Sequence, residues 1–326
     1  MVMIELKEKI PFGGHPKLEN TGNLVTTITK IAWHGQVTKG DMLKKLIETV
    51  KTLYDVDYVI PSSSGSISMY AVLEAWKKLN LKYGDPKPSV NIPAFTYHSV
   101  PEVAKMSGFN IVWEDINKYT WHSEMESEAT LYTTMDTYGS LANNWRKHDD
   151  VIVDACQSFG IPHELRGIAE VFSLAGGKLI SAGEGGLVLT NSLDLANEVE
   201  KTTKLLGRMP ELSAATTLDY LKVLDEILKK KQNITMHYKR KLFPKFKFQR
   251  IPIKTNNYIV AATSDSREVL DKFPELIELG CRQYYNPPLC NELQSIYTAS
   301  HHLCFPNGFN LDYEMATDRI LEVLES

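Results

Sequence analysis

A chain of 326 residues, 43% hydrophobic and 23% charged, has an ordinary globular composition and length enough for one large domain and a smaller one. With 36 basic and 40 acidic side chains its net charge is −4, which argues against a dedicated nucleic-acid binder. No run approaches about 18 consecutive apolar residues, so no membrane-spanning helix is expected. The N-terminal MVMIELKEKIPFGG carries acids and no long apolar run, and so does not read as a signal peptide. Four cysteines without CxxC spacing predict no disulfide framework and a reduced, cytoplasmic setting. Nine histidines without HxxxH or HExxH spacing predict no metal site.

In chain order, Tyr58–Ile60 reads as a strand that runs through Ser62-Ser-Ser-Gly-Ser66 into a helix over Ser66–Leu79. Hydroxyls, a glycine and free N–H groups at a helix start suit a phosphate, though a serine-rich cap is the plainer reading of that loop alone. Val90–Ile92 and Ile111–Trp113 are apolar strands with a helix over His98–Met106 between them, and Leu131–Met135 follows. Val151–Val153 reads as a buried parallel strand with Asp154 at its carboxyl end. That is where open α/β sheets bind ligands; a turn or helix cap is the alternative use of such an Asp.

Val171–Leu174 and Leu187–Leu189 then bracket a single lysine, Lys178, among Gly176, Gly177, Gly183, Gly185 and Gly186. Glycines let a backbone approach a ligand closely, and a partly desolvated lysine can attack a carbonyl. A hairpin with a solvated lysine at its tip fits the same residues. A long helix over Leu218–Tyr238, a strand over Asn257–Ala262 and helices over Arg267–Leu279 and Tyr313–Leu324 complete the pattern. Strands alternating with helices predict an α/β fold, a mainly parallel sheet between helices. The tail predicts a small α+β domain, giving a large domain over 1–241, with an N-terminal arm, and a small one over 242–326.

Five segments in this order, SSGS opening a helix, PAFTYHSV, VDACQSFG, FSLAGGKLISAGEGG and GRMPELSAAT, resemble the DegT-like sugar aminotransferases among the fold-type I pyridoxal-phosphate (PLP) enzymes. The resemblance runs from about Trp33 to the end and includes GCRQYYNPPL near the C-terminus. It implies a PLP-dependent aminotransferase making an amino-sugar from a keto-sugar, nucleotide-linked in the usual case, with glutamate as donor. It also implies a homodimer with the active site at the subunit interface. By the same resemblance Lys178 is the Schiff-base lysine and proton shuttle, and Asp154 faces the pyridine nitrogen, keeping it protonated as an electron sink. Tyr97 stacks on the ring, Gly65, Ser66 and Ser173 hold the phosphate, and Gln157 lies near the ring's phenolic oxygen. A core aromatic at Tyr97 and a polar strand residue at Ser173 are the structural alternatives. Arg282, in the C-terminal segment, is a candidate partner for the donor carboxylate.

Two features depart from that family pattern. The segment before Arg208 is short, which predicts a more open site and a smaller contribution across the interface. Lys229–Arg250 holds nine basic residues and no acid. This is either a solvated face or a phosphate-recruiting patch. Both features keep in view a PLP enzyme of another reaction type or with a larger acceptor, a dehydratase or a modifier of a nucleic-acid base.

Overall fold

The computed structural model describes residues 9–14 and 21–326, so residues 1–8 of the stretch read as lacking a signal peptide lie outside it. Helices α1 (Thr21–His34) and α2 (Asp41–Tyr54) precede strand β1 (Tyr58–Ser62). Helix α3 (Gly65–Asn80) leads to β2 (Ser89–Pro93), and α4 (Ser99–Met106) to β3 (Asn110–Glu114). Then come β4 (Leu131–Met135), β5 (Val151–Asp154), β6 (Ala169–Ser173) and β7 (Gly186–Thr190). These seven form one sheet in the order β1-β7-β6-β5-β4-β2-β3. Strand β7 runs antiparallel to both neighbours, and the remaining pairs are parallel.

The sheet is apolar on both faces because helices cover both. Along β5, Val151 and Val153 face a cluster shared with Leu46 and Val50 of α2, while Ile152 faces a cluster with Val72 and Trp76 of α3. Strands β6 and β7 alternate likewise, with Phe172 and Leu187 on one side and Val171 and Val188 on the other. Side chains alternate between faces, so two covered faces favour apolar residues at consecutive positions, as at Val151, Ile152 and Val153. Each of these side chains, fully removed from water, contributes about 1.5–3 kcal/mol.

Helices α5 (Leu193–Leu206), α6 (Glu211–Leu221) and α7 (Leu224–Leu242) lead to a second, antiparallel sheet ordered β10-β9-β8. Its strands are β8 (Lys247–Phe248), β9 (Val260–Thr263) and β10 (His302–Phe305). Around it lie α8 (Arg267–Asp271), α9 (Phe273–Leu279), α10 (Leu293–His301) and α11 (Tyr313–Glu325). Ile234 and Tyr238 of α7 share an apolar cluster with Leu303, Phe305, Ile320 and Leu324.

Three expectations change. The single helix expected over Leu218–Tyr238 is two, broken at Val223, whose ψ of 16° lies outside the helical range. The helix expected over Arg267–Leu279 also divides, because Pro274 in the first turn of α9 ends α8 before it. The strand expected over Asn257–Ala262 starts three residues later, after a turn in which Asn257 has φ 53° and Asn256 Oδ1 accepts from the Tyr258 amide. Among the described residues no helix is long and apolar enough to cross a membrane.

Candidate active site

At the carboxyl ends of the parallel strands the register lines up three small residues: Ser62 of β1 pairs with Gly186 of β7, and Gly186 with Ser173 of β6. Beside them a cavity of about 380 Å³ opens, and all seven residues singled out in the sequence line it: Gly65, Ser66, Tyr97, Asp154, Gln157, Ser173 and Lys178.

Lys178 lies on the loop between β6 and β7. Hydrogen bonds from the Leu174 amide to Gly185 O (2.9 Å) and from the Ala182 amide to Leu174 O (2.8 Å) close the base of that loop. The Tyr258 hydroxyl donates to Gly177 O at 2.8 Å, and Lys178 Nζ lies 5.7 Å from the Tyr258 ring centre. The lysine is thus carried on a tethered loop, with an aromatic wall beside its amine.

Asp154 ends β5 with only 5% of its surface exposed. Its Oδ1 accepts from the Cys156 amide at 3.1 Å, and among the described residues it makes no ion pair. Burial raises its pKa above the usual carboxylate value, opposed in part by the Cys156 hydrogen bonds and the nearby Lys178 charge. A buried carboxylate in that state is stabilised by any cation brought against it.

The far end of the cavity is the start of α3. Ser64 caps the helix, its Oγ accepting from the Ile67 amide at 3.2 Å. A Cβ at Gly65 would lie 2.8 Å from Ser173 Cβ and 3.1 Å from Cys156 Sγ, so glycine alone fits between them. A Cβ at Gly186 would lie 2.3 Å from the Ser64 carbonyl oxygen. The short segment before Arg208 packs here as well: Ser63 donates its amide to Gly207 O at 2.9 Å. That bond braces the serine loop directly.

Tyr97, about half exposed, stands on the loop after β2. Gln157 is buried with both ends of its amide engaged. Its Oε1 accepts from the Tyr138 amide at 2.6 Å, and its Nε2 donates to the Tyr285 hydroxyl at 2.7 Å. Ser64, part of the serine run read in the sequence, also lines the cavity, as do Glu184 and Tyr258, which were not singled out there. Arg282 does not. It lines a neighbouring cavity of about 370 Å³ that shares Gly177, Lys178 and Tyr258 with the first. Of the nine basic residues between Lys229 and Arg250, Lys231 is the buried one. Others serve surface contacts, as in the Lys247–Asp265 ion pair and Arg250 over the Tyr119 ring. Among the described residues no cluster of His, Cys, Asp or Glu could hold a metal ion.

These residues fit PLP. Asp154 is a buried carboxylate lacking a cation, which a protonated pyridine nitrogen would supply. The narrow cradle of Gly65, Ser66 and Ser173 suits a phosphate at a helix start. Among the described residues Lys178 is the one amine lining the cavity between these two ends.

Residues 19–308 match the DegT/DnrJ/EryC1/StrS aminotransferase family. The chain is similar to the GDP-perosamine synthase of Escherichia coli O157:H7, 24% identical over 241 residues, 63% of this chain and 64% of that one. It is also similar to the 3-oxo-glucose-6-phosphate:glutamate aminotransferase of Bacillus subtilis (strain 168), 26% identical over 212 residues, 58% of this chain and 46% of that one. Both matches span less than two thirds of the relative's length. Among solved structures, Helicobacter pylori PseC, an aminotransferase involved in the biosynthesis of pseudoaminic acid, shares the fold. Its TM-score is 0.85 over 98% of this chain and 100% of that one, at 14% identity.

Proposed function

The chain belongs to the DegT/DnrJ/EryC1/StrS aminotransferase family, and from that premise we propose that it is a PLP-dependent transaminase converting a keto-sugar to an amino-sugar, with glutamate as donor. The names of both curated relatives carry a phosphorylated sugar, GDP-linked in one and a 6-phosphate in the other. We take a phosphorylated keto-sugar, nucleotide-linked or not, as the acceptor class. The observation that carries the reading is the convergence on one cavity of the Lys178 amine and the buried Asp154 carboxylate, which makes no ion pair among the described residues.

PLP, when bound, supplies an electron sink that stabilises negative charge at the substrate's Cα. The rest of the work falls to this chain's side chains. Asp154 holds a proton on the ring nitrogen by charge pairing. Gly65, Ser66 and Ser173 anchor the phosphate, with Ser64 fixing the helix start behind them. Tyr97 would bound one face of the ring, and Gln157, oriented by Tyr138 and Tyr285, would lie toward its phenolic oxygen. Lys178 Nζ attaches the cofactor and moves the proton at the substrate's Cα. Tyr258 steadies the loop that carries this amine through its bond to Gly177 O.

In this reading residues 242–326 act as a small domain over the cleft, and two copies pair about a two-fold axis with the site at their interface. Sedimentation of a dimer is the expected result. The shortened segment before Arg208 favours a second reading, a dehydratase or an enzyme with a larger acceptor. Lys178 weighs against a dehydratase, since relatives of that kind often lack this lysine. Adding glutamate to the cofactor-loaded protein separates the two. Transamination predicts loss of the visible absorbance with release of 2-oxoglutarate; an unchanged spectrum without 2-oxoglutarate contradicts it.

A further inference from the structure

Lys231 is 6% exposed, on the face of α7 turned into the protein. An ammonium has three N–H donors. Among the described residues one of them is spent, on Asn307 O at 2.5 Å, and no carboxylate pairs with it. Burial pushes its pKa down to about 7, and no neighbouring charge contributes to the shift. A buried, uncompensated ammonium is costly to a fold.

Among the described residues the second cavity, of about 370 Å³, has three basic side chains in its wall, Lys178, Lys231 and Arg282, and no Asp or Glu. Arg282 is held there by the Phe12 ring, 4.5 Å from its guanidinium carbon, and by a 3.1 Å hydrogen bond to the Tyr284 hydroxyl. The wall shared with the first cavity is Gly177, Lys178 and Tyr258. An anion entering this space therefore meets the Arg282 guanidinium and the Lys231 amine, whose protonated form it stabilises, with the amine of Lys178 at its other side.

We propose that this second cavity is an oxyanion subsite, in which Lys231 and Arg282 together hold the anionic group of a substrate whose reacting carbon lies at Lys178. The group is either a carboxylate of the amino donor or a phosphate of the acceptor. The inference rests on the role of Lys178 given above. It also accounts for part of the basic stretch: one residue of the nine faces the site, and the rest are ordinary surface.

The test titrates cofactor-loaded protein with inorganic phosphate and with glutarate at constant ionic strength, by calorimetry. At least one probe should bind. Lys231→Met should weaken that probe about tenfold or more, and Lys231→Arg should hold it within about threefold, because the charge and the donors persist. A loss confined to glutarate, with a raised KM for glutamate, assigns the donor carboxylate. A loss confined to phosphate, with a raised KM for the acceptor, assigns the acceptor phosphate. Parent protein that binds neither probe, or a Lys231→Met variant that binds as the parent does, overturns the proposal. Should Lys231→Met fail to fold, Arg282→Gln at an exposed side chain carries the same test, and unchanged affinity there overturns it. Cofactor loading is read from visible absorbance before each titration. A failure of the Lys178 reading then appears as absent cofactor, and a failure of the subsite as loaded protein that binds neither probe.

Discussion

A methyl group at Gly65 would have to displace Ser173 Cβ or Cys156 Sγ, neither of which is the free end of a flexible side chain. Gly65→Ala should therefore distort the phosphate cradle while leaving the rest of the sheet in place. Overpacking of this kind costs about 1–3 kcal/mol, equivalent to about fivefold to 150-fold in affinity. The expected result is a raised Kd for PLP by absorbance titration with an unchanged far-ultraviolet spectrum; an unchanged Kd would contradict the placement. The seven residues singled out in the sequence share one cavity because they lie at or just beyond strand ends, where an apolar run stops and polar residues begin. Tyr258 had no such marker. It comes from a turn some 80 residues after Lys178, and its bond to Gly177 O is a product of the tertiary fold.

Helix α2 starts without a cap of its own, since Gly40 has no side chain to accept from the first-turn amides. Glu211, 1% exposed at the start of α6, reaches across to do so. Its carboxylate accepts from the amides of Gly40 (2.6 Å), Met42 (2.9 Å) and Leu43 (3.2 Å). Removing it leaves three N–H groups unpaired at a helix N-terminus, two of them buried, so Glu211→Ala should cost about 1–3 kcal/mol. The expected readout is a lower Tm with the absorbance of bound cofactor retained; an unchanged Tm would contradict it. The segment GRMPELSAAT marked a family in the sequence without revealing this task, because the residues that Glu211 serves lie some 170 positions upstream. The seven strands of the first sheet were legible one by one, as both faces of that sheet are covered and each strand is rich in apolar residues. Helix boundaries were less so. The apolar pattern continues through Val223 with no glycine or proline to mark the break, whereas Pro274 did mark the start of α9. Helices α1, α2, α5 and α10 were not read at all, nor were strands β8 and β10.

Across the whole molecule, the first sheet and the second meet around a buried aromatic cluster that includes Phe95, Trp121 and Tyr138. Two neutral histidines lie in this region. Burial pushes the pKa of His122 and of His302 down to about 4, from an ordinary 6.5. A depressed folded-state value means that the unfolded chain binds more protons as pH falls from about 6.5. Stability from this source is full above about 6.5 and lost progressively toward 4, on the order of 3 kcal/mol for each histidine. The urea midpoint should already fall between about pH 6.5 and 5, above the range where most carboxylates titrate; a flat profile there would contradict neutral burial of the pair. The two-sheet plan was legible from the alternation of strands and helices, but the meeting of the two cavities at Lys178 was not, because it needs Tyr258, Asn307 and Phe12 brought in from distant parts of the chain. The chain holds two lysines of note around these cavities, Lys178 at the shared wall and Lys231 behind it, so the central claim turns on which amine carries the cofactor. Borohydride reduction of the PLP-loaded protein, followed by digestion and mass spectrometry, decides it. The account predicts one modified peptide, containing Lys178, and no modification after Lys178→Ala; the cofactor fixed to Lys231, to another lysine or to none would contradict it.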